Sequence, residues 1–128
     1  VIICHKSREK ANVVGSITAI GDIEGKNVVI VDDIIDTAGT LAKAANVLKD
    51  MGAASVRACA THAVFSGPAY ERIAESALEE VLVSDTIPLS QDPSKDKSKI
   101  TVLTMTDIFA DIINKVYNYE EISSSFIN

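Results

Sequence analysis

The chain has 128 residues, 47% hydrophobic and 23% charged, which suits one folded domain and excludes disorder as a description of the whole. No apolar run reaches the roughly 18 residues of a membrane helix. The net charge of −6, with 5% aromatics and no Trp, argues against nucleic acid, an anionic membrane surface or base stacking.

The first residue is Val1, not Met. Val1-Ile2-Ile3-Cys4 reads as the middle of a buried strand over residues 1–4. It has none of the parts of a signal peptide, so the chain is expected to be a piece of a longer protein. Cys4 and Cys59 lie in separate apolar runs with no ligand spacing. They read as two reduced, buried thiols of a cytosolic protein. His5-Lys6-Ser7-Arg8-Glu9-Lys10 is the one local excess of positive charge, and on its own a short basic run is a solvated loop.

Gly21, Gly25 and Lys26 mark a turn. Val28-Val29-Ile30-Val31 is a continuous β-branched run, the signature of a strand buried on both faces of a parallel sheet. It is expected to stop at Asp32-Asp33. After Asp36-Thr37-Ala38-Gly39-Thr40, the residues Leu41, Ala44, Ala45 and Leu48 recur at helical spacing, with Lys49 in the last turn and Gly52 as C′ cap. Residues 55–60 read as the next strand, so residues 27–60 make a βαβ unit with a right-handed crossover.

Ser66-Gly67-Pro68 signals a helix start, with Glu71 in its first turn and Ala69, Ile73 and Ala77 facing inward. Residues 80–83 form a third strand, residues 90–99 an exposed polar loop, and residues 100–103 a short strand. Thr106 caps a last helix whose stripe is Ile108, Phe109, Ile112, Ile113 and Val116. Asp107 and Asp111 fall on its solvated face. The expected architecture is α/β: three layers, a mostly parallel sheet and helices on both faces, with residues 1–128 as a single domain.

In an open α/β sheet, ligands bind beyond the carboxyl ends of the strands. There Thr37, Ala38, Gly39 and Thr40 are small residues at a helix N-terminus. Their amides, two hydroxyls and the helix dipole suit a phosphate. Asp32 and Asp33 would repel that phosphate, so they suit a vicinal diol, a Mg²⁺ ion or both beside it. The loop therefore suggests a sugar phosphate. The plainer alternative is an acidic strand end with Asp36 or Thr37 as an ordinary N-cap. His62, at a strand end, reads as a structural histidine bonded to a neighbouring loop rather than as a base. Asp85 and Thr86 are lesser candidates for the same pocket.

Residues 28–40, with two leading acids and Asp-Thr-Ala-Gly-Thr, resemble the phosphoribosyl pyrophosphate (PRPP) motif of type I phosphoribosyltransferase folds. Gly21-Asp22-Ile23-Glu24-Gly25-Lys26, Thr61-His62-Ala63-Val64-Phe65-Ser66-Gly67-Pro68-Ala69, Asp85-Thr86-Ile87-Pro88 and the Ser/Phe-rich tail extend the likeness to ribose-phosphate pyrophosphokinases, or PRPP synthetases. The resemblance covers essentially the whole chain, in order.

The resemblance implies transfer of the β,γ-pyrophosphoryl group of ATP to the anomeric hydroxyl of ribose 5-phosphate, giving PRPP and AMP with Mg²⁺ as cofactor. It places the 5-phosphate on Asp36, Thr37, Ala38, Gly39 and Thr40, and the ribose hydroxyls on Asp32 and Asp33. It makes Lys6 and Arg8 the catalytic cations of a mobile loop. Such cations suit the charge that grows on the transferring group. It further implies that this chain is most of the C-terminal domain of a two-domain enzyme, inactive alone. The direct Mg²⁺ ligands and much of the ATP site would lie in the absent N-terminal half, and the parent would be a cytoplasmic hexamer built from dimers. Ser7 and Glu9 depart from the family's Arg-rich loop, and Glu121-Ile122-Ser123-Ser124-Ser125-Phe126 follows its C-terminus only loosely. A phosphoribosyltransferase would need a base-recognition hood, and a PRPP-responsive repressor a DNA-binding segment; neither is visible. A non-catalytic associated subunit is the remaining alternative, against which the retained Lys6, Arg8 and acids argue.

Overall fold

The computed structural model describes residues 3–6 and 17–125, the first 20 of the chain by backbone alone where they are included. Six strands and three α-helices follow in order: β1 Ile3–Lys6, β2 Ile17–Ile20, β3 Asn27–Ile35, α1 Gly39–Asp50, β4 Ser55–Ala63, α2 Ala69–Glu75, β5 Glu80–Ser84, β6 Ile100–Leu103 and α3 Thr106–Tyr117. Strands β3-β4-β5-β6 form a parallel sheet in that order. The α/β class with a parallel sheet stands.

Strands β1 and β2 form a separate antiparallel pair, with Cys4 opposite Ala19 and Lys6 opposite Ile17. β2 is not anticipated from the sequence, because four residues running into Gly21 are too short to separate from a turn. β1 also ends two residues later than expected, so Lys6 stands on the strand. β3 continues through Asp32 and Asp33 to Ile35, which pairs with Ala63. Pairing with β4 overrides the poor strand propensity of two adjacent aspartates.

Helices α1 and α2 pack on the same face of the sheet. Leu41, Ala45 and Leu48 of α1 and Ala69 and Ile73 of α2 share one core with Val28, Val56, Ala58, Val81 and Val83. All four residues placed on the α1 stripe, Leu41, Ala44, Ala45 and Leu48, are buried. The helix ends where Gly52 takes a φ of +93°. Its amide donates to Lys49 O at 3.0 Å and Ala53 N to Leu48 O at 3.1 Å, the pair of bonds that a left-handed C′ residue permits. A Cβ at Gly52 would also press on Glu24, 3.3 Å away. In α2, Ala69 and Ile73 are buried as expected; Ala77 follows the helix and is half-buried, and Leu78 fills the core instead.

The opposite face of the sheet is open at β3, where Val29 and Val31 are exposed. Cys59 lies on β4, free and half-buried. It is thus less enclosed than the expected buried thiol, because neither α1 nor α2 covers its side of the strand. Thr106 opens α3, but Met105 is its N-cap and no side chain caps it. No residue of α3 is buried: Ile108, Phe109, Ile113 and Val116 are all exposed. Asp107 and Asp111 are exposed too, and Asp111 pairs with Lys115 at 2.8 Å. Among the described residues no helix is long and apolar enough to cross a membrane.

Four surface carboxylates are held below the ordinary carboxylate range. Glu71 takes a hydrogen bond from Lys95, Asp85 bonds to Thr104 and the Met105 amide, Asp92 bonds to the Ser94 amide and hydroxyl, and Asp96 bonds to Ser98. A depressed native pKa means that the unfolded chain binds more protons as pH falls. The stabilisation is therefore complete above the ordinary carboxyl values of about 4 and is lost as pH drops below them. Urea midpoints are expected to be flat from neutral pH to about 5 and to fall towards pH 3. Asp92→Asn should lower the plateau and reduce the acid slope; an unchanged slope would show that this loop does not carry the effect.

Candidate functional site

The carboxyl end of β3 runs into the loop 36–38, which enters α1. A cavity of about 250 Å³ opens there, lined by Asp32 and by residues 34–41. It brings together Asp32, Asp36, Thr37, Ala38, Gly39 and Thr40 from among the sequence candidates. Asp33 does not line it. The Asp33 amide donates to Asp32 Oδ1 at 2.9 Å. The main chain at Ala38 is left-handed, with φ 57° and ψ 7°, and Ala38 is buried. Ala38 is also the N-cap of α1. Neither Asp36 nor Thr37 fills that position, and alanine has no side-chain acceptor to satisfy the helix's first amides.

The loop is held from behind by the segment that leads into α2. Val64 N and Phe65 N both donate to Ile35 O at 3.1 Å, and Ser66 N donates to Asp36 O at 3.0 Å. Arg72 Nη1 donates to Thr37 O at 3.0 Å. Phe65 itself adopts φ 48°, a costly conformation for a bulky residue. It is held there by an edge contact with Tyr70, ring centroids 5.2 Å apart, while the Tyr70 hydroxyl accepts from Ser90 N at 2.9 Å. Arg72 was not legible as a site residue. In sequence it is one cation 32 positions beyond Thr40, the end of the loop that it touches.

His62 Nδ1 is hydrogen bonded to Thr86 Oγ1 at 2.9 Å. The Thr86 and Ser84 hydroxyls also reach Thr61 O, at 3.2 and 2.6 Å. His62 therefore ties β4 to the turn after β5, the structural part expected of it. Asp85 and Thr86 do not reach the loop cavity. They line a second one with Thr106, Phe109, Ala110 and Ile113 of α3, and Asp85 Oδ1 accepts from Met105 N at 2.8 Å. Lys6 is described only as the last residue of β1, and Arg8 lies outside the described residues.

A family model for the phosphoribosyl synthetase-associated domain matches residues 4–127. The chain belongs to this family. It is 53% identical over 127 residues to the ribose-phosphate pyrophosphokinase of Wolinella succinogenes, across 99% of this chain and 40% of that protein. The namesake from Campylobacter jejuni is 52% identical over the same length and shares. Among solved structures, the phosphoribosylpyrophosphate synthetase of Mycobacterium smegmatis superposes with a TM-score of 0.81 and 38% identity, covering 92% of this chain and 37% of that one. The chain thus spans about 40% of the length of the curated relatives it matches. The resemblance read from the loop, from residues 61–69 and from residues 85–88 is borne out at the level of the family.

Proposed function

We propose that this chain is the sugar-phosphate-binding part of a PRPP synthetase, corresponding to most of its C-terminal domain. The observation that carries the reading is the loop cavity: a left-handed turn at a helix N-terminus, with Asp32 on the strand end beside it. Such a turn presents successive amides to an anion. A carboxylate one strand residue-pair away accepts hydrogen bonds from hydroxyls and repels a second anion. Ribose 5-phosphate carries both features in one molecule.

In the proposed reaction the anomeric hydroxyl oxygen attacks the β-phosphorus of ATP. The bond from that phosphorus to the oxygen bridging to the α-phosphorus breaks, AMP leaves, and the hydroxyl proton is released. The residues assigned here hold the sugar: Thr37, Ala38, Gly39 and Thr40 its phosphate, with Asp36 at the mouth of the loop, and Asp32 its hydroxyls. Lys6 and Arg8 would meet the charge on the transferring group, one as a point charge and one as a planar fork. Among the described residues no group of three His, Cys, Asp or Glu side chains comes together to hold a metal ion. Two exposed carboxylates at the cavity, Asp32 and Asp36, fit Mg²⁺ only as a companion of the substrate's phosphates, which is a common way for this ion to bind. When bound, the ion would neutralise charge on the phosphates of ATP. A homo-oligomer, in the form of a hexamer, and a cytoplasmic location complete the proposal for the parent enzyme.

Calorimetric titration of the chain tests the assignment. Ribose 5-phosphate with Mg²⁺ is expected to bind at least roughly tenfold more tightly than ribose, since hydrogen bonds to a charged group are worth about 1.5–3 kcal/mol each. Asp32→Asn should weaken the sugar phosphate without weakening inorganic phosphate. Equal binding of ribose and ribose 5-phosphate would remove the phosphate from this loop.

A further inference from the structure

Three consecutive carbonyls of the loop are occupied by one segment of the chain. Ile35 O accepts from Val64 N and Phe65 N, Asp36 O from Ser66 N, and Thr37 O from Arg72 Nη1. In a trans peptide the N–H points opposite to the C=O. Tying these carbonyls back towards residues 64–72 therefore turns the amides of Asp36, Thr37 and Ala38 to the other side, where the cavity lies. Main-chain amides hold the first two peptide planes. The third, between Thr37 and Ala38, is held by a side chain, and it is the one that leads into the left-handed residue.

We propose that Arg72 is a positioning residue for phosphate, fixing the Thr37-Ala38 peptide so that its amide faces the bound anion. The inference rests on the phosphate-site reading above. A second contact supports it independently. A Cβ placed on Gly39 would stand 3.1 Å from Arg72 Nη1 and 3.6 Å from its Cζ. The guanidinium thus lies in the space that a side chain at residue 39 would need, and the lack of a side chain there lets Arg72 reach Thr37 O. The planar fork can hold one carbonyl in a fixed direction, whereas a lysine would supply the same charge with a looser geometry.

The test compares the full chain with its Arg72→Met, Arg72→Lys, Gly39→Ala and Gly39→Ala/Arg72→Met variants. Ribose 5-phosphate and inorganic phosphate are titrated by calorimetry, and the amide resonances of residues 36–40 are followed by NMR. Arg72→Met is expected to weaken both ligands about tenfold, the scale of one charge-assisted hydrogen bond. It should also shift the free-state resonances of Thr37 and Ala38 while leaving the urea midpoint nearly unchanged, because Arg72 is exposed. Arg72→Lys should recover only part of the affinity. Gly39→Ala should weaken binding in the wild-type background by displacing the guanidinium, and add little once Arg72 is methionine. Full recovery by lysine with unmoved resonances would show a charge effect and overturn the proposal. Wild-type affinity in Arg72→Met would overturn it and leave the phosphate site standing. Failure of the wild-type chain to bind either ligand would overturn the phosphate-site reading itself, and this inference with it.

Discussion

Replacing Lys6 by alanine is expected to slow the proposed pyrophosphoryl transfer by the full-length protein by roughly a hundred- to a thousandfold, while the dissociation constant for ribose 5-phosphate changes less than about twofold. The magnitude is that of one lost donor to charge that develops only in the transition state. The two effects are expected to separate because bound ribose 5-phosphate does not carry that charge. Lys6 ends β1, in the antiparallel β1-β2 pair, whereas the proposed sugar-phosphate cavity is built from β3 and α1. Single-turnover kinetics with saturating ribose 5-phosphate would isolate the chemical step. Parallel loss of turnover and of sugar-phosphate affinity would mean that Lys6 binds the sugar phosphate instead.

Ile73→Ala should be the most damaging conservative truncation on α2, at about 3 kcal/mol in urea unfolding. Ile73 is 1% exposed and sits in the core shared by both helices and the sheet. Removing a buried side chain of this size leaves a cavity and costs about 2–5 kcal/mol. Ile113→Ala makes the same chemical change on α3, where the side chain is 67% exposed, and should cost less than about 0.5 kcal/mol. The slope of the urea transition should stay the same for both, so the comparison rests on midpoints. A comparable loss for Ile113 would show that the α3 stripe is covered in solution, and the loss would then vary with protein concentration.

These two isoleucines also mark how far patterning reaches. Both lie on stripes of helical period, and periodicity identifies both helices and their apolar sides. It does not say whether anything lies against that side. Ile73 meets Val81 and Leu48 in one core, and Ile113 meets mostly solvent. The difference comes from where the connections carry each helix, not from local composition. Strand ends show the same division. The β-branched run at 28–31 marks β3, yet the strand runs on through Asp32, Asp33 and Ile34 because β4 supplies partners there up to Ala63. That extension has a consequence for the site. Of the two aspartates that the strand now includes, only Asp32 lines the cavity.

The proposed phosphate loop was legible because its chemistry is local. Small residues at 37–40, directly after a buried strand and directly before an amphipathic helix, suggest an anion cradle without any long-range information. The order of motifs along the chain carried the family in the same way. What holds the cradle in shape is not local. Arg72 lies 35 residues beyond Thr37 and touches it only because β4 brings α2 back beside α1. By itself, then, the sequence determined the α/β class, the place of the proposed phosphate loop and the family, all of which rest on residue types and short spacings. Only the tertiary structure decided which aspartate faces the cavity, which helix keeps its apolar side open and which side chain orients the loop, because each depends on strand pairing and on packing between segments distant in the chain.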